Sequence, residues 1–255
     1  MKRVLTAVVL VPLVLYVVLW SPYWTVLAVT ALVALLCYHE YSGIAAGYGA
    51  GQLGPLGYAA GLVILAVPGS TAALVVAVTL IAMALALRAD ELRTGIVRSA
   101  FLLMGVVYVF GCWRFAPMLG AENRYWLLYA LAVNWVGDVG AYYIGRSFGR
   151  HKLAPVVSPG KSWEGAAASL AASLIFGFLF LRWSIPAVQP GVVLGLTVAA
   201  NVAGQFGDLC ESALKRGAGV KDSGTLLPGH GGMLDRVDST LFTLPVVYLY
   251  VAGRW

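Results

Sequence analysis

Three groups of side chains in the second half of this sequence have the types and spacing to do chemistry. Asp138 lies inside the apolar run Asn134-Trp-Val-Gly-Asp138-Val-Gly-Ala-Tyr142-Tyr, where helical spacing puts Asn134, Asp138, Ala141, Tyr142 and Gly145 on one face. Asn201, Gln205, Asp208, Glu211, Ser212 and Lys215 recur at helical spacings as one polar stripe that grows more charged toward its C-terminal end. Asp235-Arg236-Val-Asp238-Ser239 puts two acids three residues apart, on one helix face, where their oxygens can meet one hard cation. An acidic first turn also favours the helix dipole, but next to Asp208 and a basic, glycine-rich stretch the metal reading is preferred.

Between these groups run two glycine-rich, charged segments. One is Gly145-Arg-Ser-Phe-Gly-Arg-His-Lys152 followed by Ser158-Pro-Gly-Lys161-Ser162-Trp-Glu164-Gly. The other is Lys215-Arg216, Lys221-Asp222-Ser-Gly224 and Pro228-Gly-His230-Gly231-Gly232. Glycines let backbone N–H groups approach phosphate oxygens, and Lys and Arg supply the matching charge. A basic loop at a membrane surface would explain the cations, but not the interleaved acids and glycines. Gly160-Lys161-Ser162 is not a P-loop, because Pro155 stands where that pattern needs glycine and no strand is expected before it. His230 reads equally as a general base or a structural residue. Acids that can hold Mg2+ beside cations that can hold phosphate point to metal-assisted transfer at a nucleotide phosphate, with a lipid as the second substrate.

The elements that must position these groups are membrane helices. Of 255 residues, 60% are hydrophobic and 11% charged, and the mean hydropathy is +0.85. That is under half the charge of an ordinary soluble domain, so a water-facing globule is excluded. Apolar runs predict about nine spans, at 4–20, 23–38, 53–67, 70–87, 99–119, 126–145, 165–181, 190–212 and 237–253. The first run is too long, and Trp20-Ser-Pro-Tyr-Trp24 too bulky, for a cleaved signal peptide. Cys37, Cys112 and Cys210 form neither a disulfide framework nor a zinc site and read as apolar filler.

Charge orients the spans. With the N-terminus in the cytoplasm, inner segments hold Lys2, Arg3, Arg88, Arg93, Arg98, Arg146, Arg150, Lys152, Lys161, Lys215, Arg216, Lys221 and Arg236. Outer segments hold Arg124, Arg182 and Arg254, and Arg114 lies within a span near its outer end. This bias places the C-terminus outside and both charged segments inside. The net charge of +6 is therefore a topology signal and not a nucleic-acid signal. The acids divide unequally: Glu40, Asp90, Glu91 and Glu122 precede residue 126 and seven follow it. Residues 1–125 thus read as a transmembrane scaffold and 126–255 as a catalytic transmembrane region, in one integral unit.

The run Ser212-Ala-Leu-Lys215-Arg216, Lys221-Asp222-Ser-Gly224, Leu227-Pro-Gly-His230-Gly231-Gly232-Met-Leu-Asp235-Arg236-Val-Asp238 resembles the signature of the phosphatidate cytidylyltransferase family. Asp138-Val-Gly-Ala-Tyr142, Gly145-Arg-Ser-Phe-Gly-Arg150 and Ser158-Pro-Gly-Lys161-Ser162-Trp-Glu164-Gly are similar to the same family, so the resemblance covers residues 134–239. It implies an all-helical, dimeric membrane enzyme of the bacterial inner membrane, with its site facing the cytoplasm. CTP and phosphatidic acid would give CDP-diacylglycerol and pyrophosphate, with Mg2+ and also K+ as ions. On this reading Asp208, Asp235 and Asp238 bind the metal, with Asp222 close by. Lys161, Lys215, Arg216, Lys221 and Arg236 neutralise phosphates. Ser162, Glu164, His230, Gly231 and Gly232 contact substrate, and Asp138, Tyr142, Glu211 and Ser212 are further candidates. A CTP-dependent polyprenol or phytol kinase is the alternative enzyme. A transporter is the alternative class, disfavoured by the absence of an internal repeat.

Overall fold

The computed structural model describes residues 2–67, 71–87, 91–226 and 231–253. His230 and the Leu227-Pro-Gly that precedes it lie outside the described residues. The helices are α1 (Lys2–Trp20), α2 (Tyr23–Gly47), α3 (Gly54–Ala66), α4 (Thr71–Ala86), α5 (Leu92–Gly105), α6 (Phe115–Glu122), α7 (Arg124–Phe148), α8 (Trp163–Ser184), α9 (Pro190–Gly217) and α10 (Leu234–Val251). A π-helical segment, Val106–Gly111, joins α5 to α6, so that Leu92–Glu122 is one long apolar rod. The chain is an integral membrane protein of the all-α class.

Among the described residues, four helices are long and apolar enough to cross a membrane: Tyr23–Gly47, Leu92–Glu122, Trp163–Ser184 and Pro190–Gly217. Leu10–Trp20, Gly54–Ala66 and Ala72–Ala86 are apolar but shorter. Helices α7 and α10 are long enough and fall below that apolarity because they carry Arg124, Asp138 and Arg146, and Asp235, Arg236 and Asp238. All of these but Arg124 belong to the polar stretches singled out in the sequence. At about 1.5 Å per residue, α9 with its 28 residues is ~42 Å long, well over a ~30 Å hydrocarbon core.

Each predicted span has a helix over it, but the limits differ. Helix α2 continues nine residues beyond position 38, and the rod predicted over 99–119 begins at Leu92. The stretch between α7 and α8, expected to lack strands, forms an antiparallel hairpin of β1 (Lys152–Ala154) and β2 (Ser158–Ser162), with Lys152 opposite Ser162 and Ala154 opposite Ser158. Gly160-Lys161-Ser162 is therefore in a strand.

Helices α7 to α10 pack as one bundle because their contact faces are small. A Cβ on Gly140 would lie 2.8 Å from Ala172 Cβ and 2.9 Å from the Ala168 carbonyl oxygen. One on Gly137 would lie 2.6 Å from Ser169 Oγ. Gly145 meets Gly165 backbone to backbone at 3.3 Å from its own would-be Cβ. Close backbones let polar side chains bond across helices, the usual means of association where lipid tails remove the hydrophobic drive. Tyr129 and Thr197 share a hydrogen bond of 2.8 Å, and Ser173 donates to the Val133 carbonyl at 2.9 Å.

The antiparallel helices sort into two ends. At one, Arg124 donates to the Leu19 carbonyl, Tyr125 meets Trp183, and Trp126 meets Tyr250 with ring centroids 5.6 Å apart. At the other, the C-terminal ends of α2, α7 and α9 gather with the N-terminal ends of α8 and α10. Tyr48 there donates to the Leu214 carbonyl at 2.9 Å. Helix α9 stops there in a Schellman turn: Val220 N–H donates to Lys215 O, Gly219 N–H donates to Arg216 O, and Gly219 takes φ +76°.

Candidate functional site

A cavity of about 460 Å³ opens at this second end, between α7, β2, α8 and α9. Its deep wall is built of amides and hydroxyls. Asn201 Nδ2 donates to Ser169 Oγ (3.0 Å) and Ser173 Oγ (2.9 Å), and Asn201 Oδ1 accepts from Gln205 Nε2 at 2.7 Å. Asn134 Nδ2 donates to Thr243 Oγ1 on α10 at 3.0 Å. Satisfied in this way, polar groups can stay deep in an apolar bundle without the cost of an unpaired donor. Towards the mouth the lining is charged, with Asp138, Arg146, Lys161 and Asp208. Lys161 Nζ lies 2.5 Å from Asp208 Oδ2. Arg146 donates to Tyr142 Oη at 2.8 Å, with its guanidinium 5.9 Å above that ring.

Two carboxylates line this mouth, Asp138 and Asp208, and a third, Asp238, is buried near them. Asp138 (α7), Asp208 (α9) and Asp238 (α10) are close enough to interact electrostatically with one another, and Lys161 and Arg236 act on Asp138. Asp238 is buried, with Oδ1 accepting from Ser239 N–H at 2.6 Å; Ser212 Oγ lies 3.4 Å from Asp208 Oδ1. Among the described residues, no three His, Cys, Asp or Glu side chains close to metal-binding distance. The donors nonetheless suit a hard cation in kind, being carboxylate oxygens on separate rigid helices.

A second cluster sits behind the first. Lys215 bridges Glu211, 2.5 Å away and fully buried, and Asp235 on α10. Asp235, expected to bind metal, has its carboxylate engaged by Lys215 and by the N–H groups of Ser223 (3.0 Å) and Gly232 (2.8 Å). In this arrangement it anchors the connection between α9 and α10. Lys215, expected on phosphate, is likewise held between two acids.

The other expected contacts divide. Ser162 lines the cavity but also caps α8, accepting from Gly165 N–H at 3.1 Å. Glu164 faces away from the cavity, accepting from the backbone of Arg150 and His151 and lying 2.6 Å from His151 Nδ1, so it fastens the chain where α7 gives way to the hairpin. Arg216 donates to the Val157 and Val220 carbonyls, tying α9 to the hairpin turn. Lys221 and Asp222 are exposed. Gly231 takes φ +78°, with Gly232 buried after it.

Sequence reasoning missed several participants. Asn134, Arg146 and Ser239 line the cavity, and although all three stand in the stretches singled out above, none was assigned a role; Arg146 lies one helical turn beyond Tyr142, a spacing that could have drawn attention to it. Glu40 was missed for a different reason. It lies on α2, nearly 200 residues away in sequence, yet it accepts hydrogen bonds from Ser223 Oγ, Met233 N–H and Leu234 N–H. The one available signal was an acid beside an apolar run.

The profile described as the cytidylyltransferase family matches residues 1–253. A phosphatidate cytidylyltransferase of Staphylococcus aureus (strain COL) is 43% identical over 155 residues, 61% of this chain and 60% of that protein. Proteins of the same name from Staphylococcus haemolyticus (strain JCSC1435) and Bacillus subtilis (strain 168) are 43% and 39% identical over 155 residues. The chain thus spans about three fifths of the length of the curated relatives it matches. With a profile that runs from the first helix to the last, this chain belongs to the cytidylyltransferase family.

Proposed function

We propose that the protein transfers a cytidylyl group from CTP to phosphatidic acid, giving CDP-diacylglycerol and pyrophosphate in phospholipid synthesis. The observation that carries this reading is the pairing of Lys161 with Asp208 at the mouth of a polar cavity between α7, α8 and α9, in a chain of the cytidylyltransferase family. A phosphate oxygen of phosphatidic acid attacks the α-phosphorus of CTP; the bond from that phosphorus to the β-phosphate oxygen breaks, and pyrophosphate leaves with its electron pair. The nucleophile is already an anion, so no strong base is required. The barrier lies in bringing two polyanions together and stabilising the leaving charge, which is work for cations.

In this proposal Lys161 exchanges Asp208 for a phosphate oxygen, and Arg146 and Arg236 lie close enough to the same mouth to share the charge. Lys221 and Arg216 meet the nucleotide from the connecting segments. Asp208 and Asp238, with Asp138, would hold Mg2+, which when bound supplies positive charge to the triphosphate. Asp235 would reach a metal only by giving up Lys215. The deep amide wall orients the substrate part that enters furthest. Phosphatidic acid arrives laterally from the bilayer.

The same reading has nine spans, the N-terminus in the cytoplasm and the C-terminus outside, with the site on the inner face of a bacterial inner membrane. It has residues 126–255 carrying the chemistry on a 1–125 scaffold, and two copies of the chain as the working unit. Supporting the sidedness, all the helix ends near the cavity belong to the basic end of the sequence pattern.

The test uses purified protein in detergent with phosphatidic acid, Mg2+ and labelled CTP. CDP-diacylglycerol and pyrophosphate are expected in equal amounts. Release of CDP with a phosphorylated alcohol would make it a kinase, and nucleotide-independent flux in vesicles would make it a transporter.

A further inference from the structure

We infer that Glu40, on a helix outside the charged C-terminal half, is a positioning residue that sets α10 and its aspartates for the reaction. This rests on the proposed cytidylyl transfer for its kinetic meaning and on geometry alone for its structural meaning.

Glu40 is 7% exposed. A carboxylate taken out of water in this way needs several donors. Glu40 has three: Leu234 N–H at 2.8 Å, and Met233 N–H and Ser223 Oγ at 2.9 Å. Two of these donors are at the first turn of α10, whose unsatisfied N–H groups and positive dipole end favour a negative charge. The backbone of α10 shows no side-chain cap of its own at Met233. A side chain from α2 takes that place.

The surrounding sequence is shaped to this carboxylate. A Cβ on Gly224 would lie 2.7 Å from Glu40 Oε1, and one on Gly232 would overlap Oε2 and Ser223 Oγ. Two of the glycines that read as phosphate contacts are thus also clearance for Glu40. Asp235 grips the same connection from the other side, through Ser223 N–H and Gly232 N–H. Ser223 is held by both acids, by its hydroxyl and by its amide. Displacing Glu40 therefore frees one side of a clamp that also orients Asp235, and with it the helix face that carries Asp238.

Glu40→Gln keeps size and shape but turns one acceptor oxygen into a donor facing N–H groups. Ser223→Ala removes a single contact and leaves the α10 cap. Each variant and the double variant would be purified in the full chain. Turnover and KM for CTP would be measured, with hydrogen exchange followed in peptides covering Val220–Gly224 and Gly231–Leu234.

Glu40→Gln is expected to lower kcat about tenfold to a hundredfold, as a misplacement of about an ångström does, with KM for CTP within about threefold. Exchange should rise in both peptides and stay unchanged in α3 and α4. Ser223→Ala should lower kcat by less, and the double variant should add little to Glu40→Gln. Unchanged kcat in Glu40→Gln, or reduced kcat with unchanged exchange in these peptides, would overturn the inference. If Glu40→Gln does not fold, Ser223→Ala decides: wild-type kcat and wild-type exchange there would overturn it as well. Faster exchange in a protein whose wild type makes no CDP-diacylglycerol would keep Glu40 as the clamp on α10 and discard the proposed reaction.

Discussion

Asp208 and Asp235 carry the same functional group on neighbouring helices, and their surroundings give them different work. Asp208 faces the cavity with a single lysine on one oxygen, a contact that an incoming phosphate can take over. Asp235 is engaged by a buried lysine and two backbone amides. If Asp208 holds Mg2+ and Asp235 holds the protein, the two Asn variants should fail differently. Asp208→Asn is expected to raise the Mg2+ concentration needed for half-maximal activity about tenfold or more. Asp235→Asn should lower kcat at least about tenfold, or roughly 1.4 kcal/mol of transition-state stabilisation, with the Mg2+ requirement unchanged. A Mg2+ titration of both variants checks this, and a shifted requirement in Asp235→Asn would return that residue to the metal. Both aspartates were legible from sequence as acids at helical spacing beside a basic, glycine-rich stretch. What spacing cannot give is which donors claim a carboxylate once the chain folds. Ser223 N–H and Gly232 N–H reach Asp235 only through the turn between α9 and α10.

At the scale of elements, the sequence pattern located the helices because each contains an apolar run, even where that run is short or interrupted by charge. It could not show where a helix continues as it leaves that run. Helix α2 carries on through His39, Glu40 and Ser42 because each finds a partner: His39 Nδ1 the Tyr58 hydroxyl at 3.2 Å, Glu40 the start of α10, and Ser42 Oγ the Leu53 N–H at 3.0 Å. The π-helical segment was equally invisible, since Val106–Gly111 is as apolar as the turns beside it. Small-residue contact is more decisive for positioning. The hairpin that carries Lys161 hangs between α7 and α8, so the separation of those helices determines how far Lys161 stands from Asp208. Gly140→Val would put side-chain atoms where Ala172 and the Ala168 carbonyl now sit. Overpacking of that kind costs about 1–3 kcal/mol. It should lower the thermal unfolding midpoint in detergent and weaken CTP binding together. Gly195→Val on α9 is the control, because a Cβ there meets nothing within 4 Å. Equal behaviour of the two variants would mean that close α7–α8 contact does not position Lys161.

For the molecule as a whole, the proposal depends on which side of the membrane the charged helix ends face. Those ends come together through contacts that sequence separation hides, such as Tyr48 with Leu214 and Lys161 with Asp208. Once they are together, a single orientation governs all of them. CTP is a cytoplasmic polyanion that cannot cross a ~30 Å hydrocarbon core unaided, so a site facing outward would have no nucleotide. The lysine and arginine bias predicts the hairpin between β1 and β2 inside and the turn between α8 and α9 outside. Val156, in that hairpin, is 88% exposed, and Ala187 is exposed in the opposite turn, so both accept cysteine without loss of packing. With Cys37, Cys112 and Cys210 replaced by serine or alanine, single Val156→Cys and Ala187→Cys proteins can be treated with a membrane-impermeant maleimide in intact bacterial cells. Ala187→Cys should label in the cells, and Val156→Cys only in inverted vesicles. The reverse pattern would put the cavity on the wrong side for its nucleotide and remove cytidylyl transfer from CTP as its reaction, however well the carboxylates and lysines are arranged.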